Sequence, residues 1–271
     1  MENNKEYQKW LDEVSHMGWK LRDVPDEFKT YEICIRAVDN GLSLQYVPDK
    51  FKTYDICKIA LEENGYALKY VPEELKTEEI CKIAVKNYPR ALEHVPEKLK
   101  TKELCAIALK QKGSNLEFVP KELKSPELCE IAVKSHGFAL AYVPKELRTP
   151  ELCELAIKGV LGQGGNLQFA PYELRTQELC EMAVKDKGYA LEHVPEELKT
   201  LEMCEYAVSR DGYNLEFVPN EFRTFQICDV ALQNVFKGRV DKVLNAFVPE
   251  EFHKELAEKY YIDLPEKGKG R

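Results

Sequence analysis

Proline recurs at 25, 48, 72, 96, 120, 144, 171, 195 and 219, and a cysteine follows each of them nine positions later, from Cys34 to Cys228. A register of about 24 residues held this strictly restricts the chain more than any motif in it. A unit so short cannot bury a core alone, so successive units must stack on one another, as they do in a solenoid.

The local signals agree from unit to unit. Threonine or serine stands five after the proline (Thr30, Thr53, Thr77, Thr101, Ser125, Thr149, Thr176, Thr200 and Thr224), twice followed by proline, at Pro126 and Pro150. A capping hydroxyl before a first-turn proline marks a helix start, because proline lacks an N–H that would have no intrahelical partner there. The helix this predicts, helix B, runs for about ten to twelve residues. Glycine at 65, 113, 137, 188 and 212 lies eight past the cysteine, where a left-handed residue would end the helix. Along helix B the residue before the cysteine, the cysteine, and the third and fourth after it form one apolar arc, which leaves only a narrow strip for water. Alanine always occupies the third place after the cysteine, from Ala37 to Ala231. That predicts close contact between successive B helices. The rest of a unit, as in GYALKYVPEELK, reads as two short helical turns around an extended pre-proline valine, Val71.

The fold class expected is all-α: an α-solenoid of nine complete two-helix repeats with N- and C-terminal capping helices. As one domain over 1–271 it comprises a capping unit (1–24), repeats (25–248), a C-terminal cap (249–264) and a disordered tail (265–271). Trp10, Gly18 and Leu21 sit in the cysteine, glycine and leucine registers of the first cap, and His253 stands in the basic register of the last. Two insertions, GVLGQGGN (159–166) and NVFKGRVDKVLNAF (234–247), are expected as loops. The glycine-rich one lacks the Lys-Ser/Thr of a phosphate-binding loop.

Composition narrows the function. The net charge of −8 is interspersed along the chain, which disfavours nucleic acid as a partner. No signal-like start and no apolar run of about 20 residues is present. A cytoplasmic protein with no membrane partner is the expectation, with export by a route that uses no cleaved signal left open. No paired short cysteine spacing appears, so the thiols read as small core residues and no metal is expected. His94 and His193 fill a slot that other units give to an aromatic residue. No nucleophile, base and orienter can be assembled from positions that depart from the repeat, so neither an enzyme nor a cofactor is expected.

Two surface patterns remain. A basic residue stands four after every repeat proline (Lys29, Lys52, Lys76, Lys100, Lys124, Arg148, Arg175, Lys199 and Arg223), a ladder to which the acidic residue three further on offers ion pairs. On the water strip of helix B, Glu130/Lys134, Glu154/Lys158 and Glu181/Lys185 have the favourable i, i+4 order. The residue after the cysteine drifts from Lys58 and Lys82 to Glu130, Glu154, Glu181 and Glu205. The residue after the capping hydroxyl varies most, as at Tyr31, Tyr54, Lys102 and Phe225. These ten positions are the candidate partner-binding residues, since variation on a uniform scaffold is where recognition can be written.

The units VPEELKTEEICKIAVKNYPRALEH and VPKELKSPELCEIAVKSHGFALAY resemble a bacterial repeat family known as a domain of unknown function, numbered four-one-one-six. The likeness runs over about residues 19–250 and rests on V-P-x-E-L-K-T and leucine-aromatic-Val-Pro. It implies a helical repeat protein of bacteria, sometimes of host-associated species, and supplies no activity or site residues. The expected function is a non-enzymatic scaffold that binds a protein or peptide along one solenoid face. The alternative is an acidic polymer, nucleic acid or glycan, gripped by the Lys/Arg ladder.

Overall fold

The computed structural model describes residues 2–39, 43–158 and 164–262, and its contacts divide the chain into two compact units, Met1–Pro144 and Lys145–Arg271. Every regular element among the described residues is helical. The first unit holds α1 (Glu2–His16), α2 (Tyr31–Val38), α3 (Tyr54–Glu63), α4 (Glu78–Asn87), α5 (Lys102–Gln111) and α6 (Pro126–Ser135). The second holds α7 (Pro150–Lys158), α8 (Gln177–Asp186), α9 (Leu201–Arg210), α10 (Phe225–Gln233), α11 (Val240–Phe247) and α12 (Glu250–Tyr260). Within each unit consecutive helices pack side by side, in an all-α tandem repeat.

Helix B starts where the hydroxyls place it. The Thr77 Oγ1 accepts the Ile80 N–H at 3.3 Å, and the equivalent bond recurs from α2 to α10 at 3.2–3.4 Å. These helices are 8 to 10 residues long, slightly shorter than expected. From α2 to α9 the remainder of each repeat is two short 3-10 turns, as the sequence reading expected, such as Pro89–His94 and Glu97–Leu99. Between them Val95 is extended, with φ −76° and ψ 129°. The following proline disfavours the α region there and supplies no N–H, so one continuous α-helix cannot form.

The glycines act differently from expectation. Helices α3, α5, α6, α8 and α9 end on an extended residue, such as Lys112 at φ −150° and ψ 99°, and the glycine opens the following 3-10 turn. Gly65, Gly113, Gly188 and Gly212 all lie outside the left-handed region. What they supply is space. A Cβ on Gly65, Gly113 or Gly212 would fall 2.1, 1.9 or 2.0 Å from the carbonyl oxygen of Ala84, Ala132 or Ala231 in the next repeat. The unvarying alanine is thus approached by the 3-10 turn of the preceding repeat.

The repeated apolar positions make the core. Leu68, Leu92, Leu116 and Leu140 in the first unit, and Leu167, Leu191 and Leu215 in the second, are fully buried. Each contributes about 1.5–3 kcal/mol of transfer free energy. All nine cysteines are free and buried. Burial pushes the thiols of Cys34, Cys57, Cys81, Cys105, Cys129, Cys180, Cys204 and Cys228 up to about 11.

The ends follow the repeat in part. Gly18 meets the Ala37 carbonyl as later glycines do, and Leu21 is buried, while Trp10 is half-buried. The insertion before Pro249 is no loop: its residues 240–247 form α11. Within the glycine-rich insertion, 164–166 belong to the 3-10 turn Gly164–Phe169, and the rest of that segment and the 265–271 tail lie outside the described residues. The last helix stops at Tyr261, which is left-handed at φ 55°.

Candidate interaction surface

The basic ladder is turned inward. Lys29, Lys52, Lys76, Lys100 and Lys199 bond the acidic residue three places before them, Asp26, Asp49, Glu73, Glu97 and Glu196, at 2.5–2.9 Å. Their side chains are no more than 15 % exposed. The expected partner three places after is not the one used, because the short 3-10 turn puts the first residue past proline directly beside the fourth. With a repeat counted from the capping hydroxyl to the ladder cation, as from Thr77 to Lys100, six of the nine ladder cations also reach across to the next repeat. Lys100, Lys124 and Lys199 donate to the carbonyls of Phe118, Tyr142 and Phe217 at 3.0, 3.1 and 2.8 Å. Arg148, Arg175 and Arg223 do so to Phe169, His193 and Phe247 at 2.6–2.9 Å. A charge-assisted bond of this kind contributes about 1.5–3 kcal/mol. The ladder staples neighbouring repeats and offers no exposed grip for an acidic polymer.

Arginine appears where the carboxylate is missing. Residues 145, 172 and 220 are Lys, Tyr and Asn, and the residues three beyond them are Arg148, Arg175 and Arg223. Arg175 and Arg223 satisfy their extra donors on carbonyls of their own repeat, Ala170 and Gln168 in one case and Val218 and Glu216 in the other. Five donors let a guanidinium dispense with the carboxylate that lysine takes. Lys124 is the exception, with Lys121 in the acid's place, and burial lowers its pKa.

The ten candidate positions fare unequally. Tyr31, Lys82, Lys102, Glu130 and Glu205 are exposed on helix B, and Tyr54, Lys58, Glu154, Glu181 and Phe225 are half-buried. Glu130 and Glu154 are held by Lys134 and Lys158, as the spacing predicts. The third such pair does not form as drawn: Glu181 accepts from Gln177 at 3.0 Å, while Lys185 lies 4.0 Å from Glu202 of the next repeat. Lys58 pairs with Glu79 at 3.5 Å. A hydrogen bond from the Tyr54 phenol to the same Glu79 raises the phenol and lowers the carboxyl. Phe225 is taken by the C-terminal cap, edge-on to Phe252 at 5.7 Å between ring centres. Asp229, next to Cys228, is likewise bound by Lys259 and Tyr260 at 2.7 Å.

The sequence reading passed over an aromatic position on the 3-10 layer. Trp19, Tyr66, Phe138, Tyr189 and Tyr213 each follow the crowded glycine, and Trp19, Phe138 and Tyr189 are exposed. Lys69 lies 4.2 Å from the Tyr66 ring centre. The signal was a glycine-aromatic pair at a fixed place, masked by Arg90 and Ser114 at the same place in other repeats.

A family model described as a domain of unknown function, DUF4116, matches residues 53–100, 101–148, 149–199 and 177–223, more than half of the chain. The chain belongs to that family. The first two DUF4116 matches begin on the capping residues Thr53 and Thr101 and end on the ladder residues Lys100 and Arg148, so one match spans two of the repeats described above. A comparison with curated proteins finds no match. Among the described residues no cluster of His, Cys, Asp and Glu is arranged to hold a metal ion, and no helix is long and apolar enough to cross a membrane.

Proposed function

We propose that this DUF4116 protein is a non-enzymatic scaffold, cytoplasmic and with reduced thiols, that binds a protein or peptide along the outward face of its B helices. The observation that carries this reading is a division of labour within the repeat. Cysteine, alanine, leucine and the ladder cation, which scarcely vary, are buried or bonded to the neighbouring repeat. The place after the capping hydroxyl, which varies in size and charge, faces water in six of the nine repeats, and the equally variable place after the cysteine is exposed at Lys82, Glu130 and Glu205 and half-buried in the other six. A bacterial array built this way spends its constant residues on stacking and keeps its differences for a partner.

Capture on the immobilised full chain from lysate of the source organism, with mass spectrometry of what is retained, tests the reading. A partner retained in a saturable way should be lost with Lys82→Glu, Glu130→Lys and Glu205→Lys together. It should survive Glu117→Lys with Glu216→Lys, which alter the exposed 3-10 layer. Retention indifferent to the first set, or abolished only by the second, refutes the B-face assignment.

A further inference from the structure

The outward face of 145–271 carries a groove. Between α9 and α10 a cleft of about 420 Å³ has buried Val208 and Ile227 at its base, half-buried Tyr206 and Val230 on its sides, and exposed Glu202 and Glu205 at its rim. The other side of α9 opens into a smaller pocket of about 50 Å³ against α8, with Met203 and Val184 buried beneath Glu181 and Glu202. Tyr206 borders both, and its hydroxyl donates to the Lys185 carbonyl at 2.8 Å, which fixes the ring as the ridge between them.

Charge decides what such a groove takes. The segment 145–271 has 17 Lys and Arg against 23 Asp and Glu, a net −6 of the chain's −8. Other acids on this face are engaged, Glu154 by Lys158 and Asp229 by Lys259. Glu205 has no ion-pair partner among the described residues, and Glu202 has only Lys185 at 4.0 Å. In the first unit the comparable cleft, about 250 Å³ between α4 and α5, is lined by Lys82 as well as Glu78 and Glu103, so it has no single sign. An apolar trough between two neighbouring helices suits the ridge of a third helix. An acidic rim suits lysine and arginine beside that ridge.

We propose that the α9–α10 groove receives a basic amphipathic helix of another protein. Its apolar side chains seat on the Tyr206 ring and Val230, above buried Val208 and Ile227, and its flanking lysines or arginines pair with Glu202 and Glu205. This rests on the B-face reading above and names its site and the chemistry of its partner.

Three synthetic helical peptides of about 14 residues probe it, titrated against the full chain at physiological salt by fluorescence anisotropy. One has a leucine stripe with lysines, one the same stripe with glutamates, and one the lysines with every leucine replaced by serine. The Leu/Lys peptide should bind one to one, at least about tenfold tighter than either other. Glu202→Lys with Glu205→Lys, and separately Val230→Asp, should each weaken it by about tenfold or more with the melting temperature kept as a check on folding. Glu117→Lys with Glu122→Lys, an equal charge change on exposed residues of the first unit, should leave it within about twofold. Equal binding of the Ser/Lys peptide, or equal loss in the control pair, overturns the proposal by reducing it to net charge. A chain that ignores all three peptides yet keeps a cellular partner through its B face overturns this inference and leaves the scaffold reading standing.

Discussion

Replacing Gly113 with alanine should destabilise the protein by about 1.5–5.5 kcal/mol, the opposite of what such a change does at an open, right-handed position. Gly113 lies outside the left-handed region, so its backbone alone would accept alanine. There the substitution ordinarily stabilises by about 0.4–1 kcal/mol through the unfolded chain. The added Cβ, however, would stand 1.9 Å from the Ala132 carbonyl oxygen, 2.8 Å from its carbon and 3.1 Å from the His136 nitrogen. An ordinary carbon-to-oxygen contact needs about 3.3 Å, so the two repeats must part by roughly 1.4 Å. Overpacking of that kind costs about 1–3 kcal/mol. The same movement stretches the Lys124 bond to the Tyr142 carbonyl, now 3.1 Å, beyond hydrogen-bonding range. Losing it adds about 1.5–3 kcal/mol, and the sum is a large share of a typical stability of about 5–15 kcal/mol. Urea denaturation followed by circular dichroism reads the change. Gly238→Ala is the matched control, because a Cβ there meets nothing within 4 Å and stability should hold or rise slightly. Gly188→Ala, whose Cβ would lie 3.0 Å from its nearest neighbour, should fall between the two. A Gly113→Ala variant as stable as the parent, or a loss equal to that of Gly238→Ala, refutes the argument.

Three further outcomes follow from the same structure. Thiols raised by burial from 9.0 to about 11 stay protonated in the folded chain while unfolded ones ionise, so their stabilisation is complete below pH 9 and is lost as pH rises from 9 through 11. At pH 10 this removes about 1.4 kcal/mol per thiol, so urea midpoints should drop steeply between pH 9 and 10.5; a flat profile refutes it. Lys121→Glu should stabilise by about 0.5–1 kcal/mol by giving Lys124 the carboxylate that its counterparts have, and an unchanged urea midpoint would count against that pairing. Thr101→Ala should cost about 1 kcal/mol through the lost cap on the Leu104 N–H, read as a lower melting temperature, and no shift would deny the cap its role.

What could be read in advance depended on how local its cause is. The capping hydroxyls, the pre-proline valines and the buried cysteines answer to neighbours a few residues away, and they stand in the structure as the spacing predicts. Gly113 was read as a helix terminator because its nearest neighbours permit that. Its real constraint is Ala132, in another repeat, and nothing beside it in the chain announces the contact. The ladder failed for a subtler reason, since Lys100 has acids on both sides, Glu97 and Glu103, and only the 3-10 geometry selects the first. A sequence signal for that choice existed in the exchange of lysine for arginine at Arg148, Arg175 and Arg223, where the earlier acid is absent. Of the candidate surface, Glu205 and Glu181 border the pockets beside Tyr206, but Phe225 is covered by Phe252, a pairing between distant segments.

At the most crowded junctions, glycine and alanine touch through main-chain atoms that are the same in every copy. A duplicated segment of the gene would therefore encode a unit that already fits both neighbours, with no complementary mutations to acquire. Arrays of this kind can gain or lose members by unequal recombination in a single step, each newcomer free at once to diverge on its outer face.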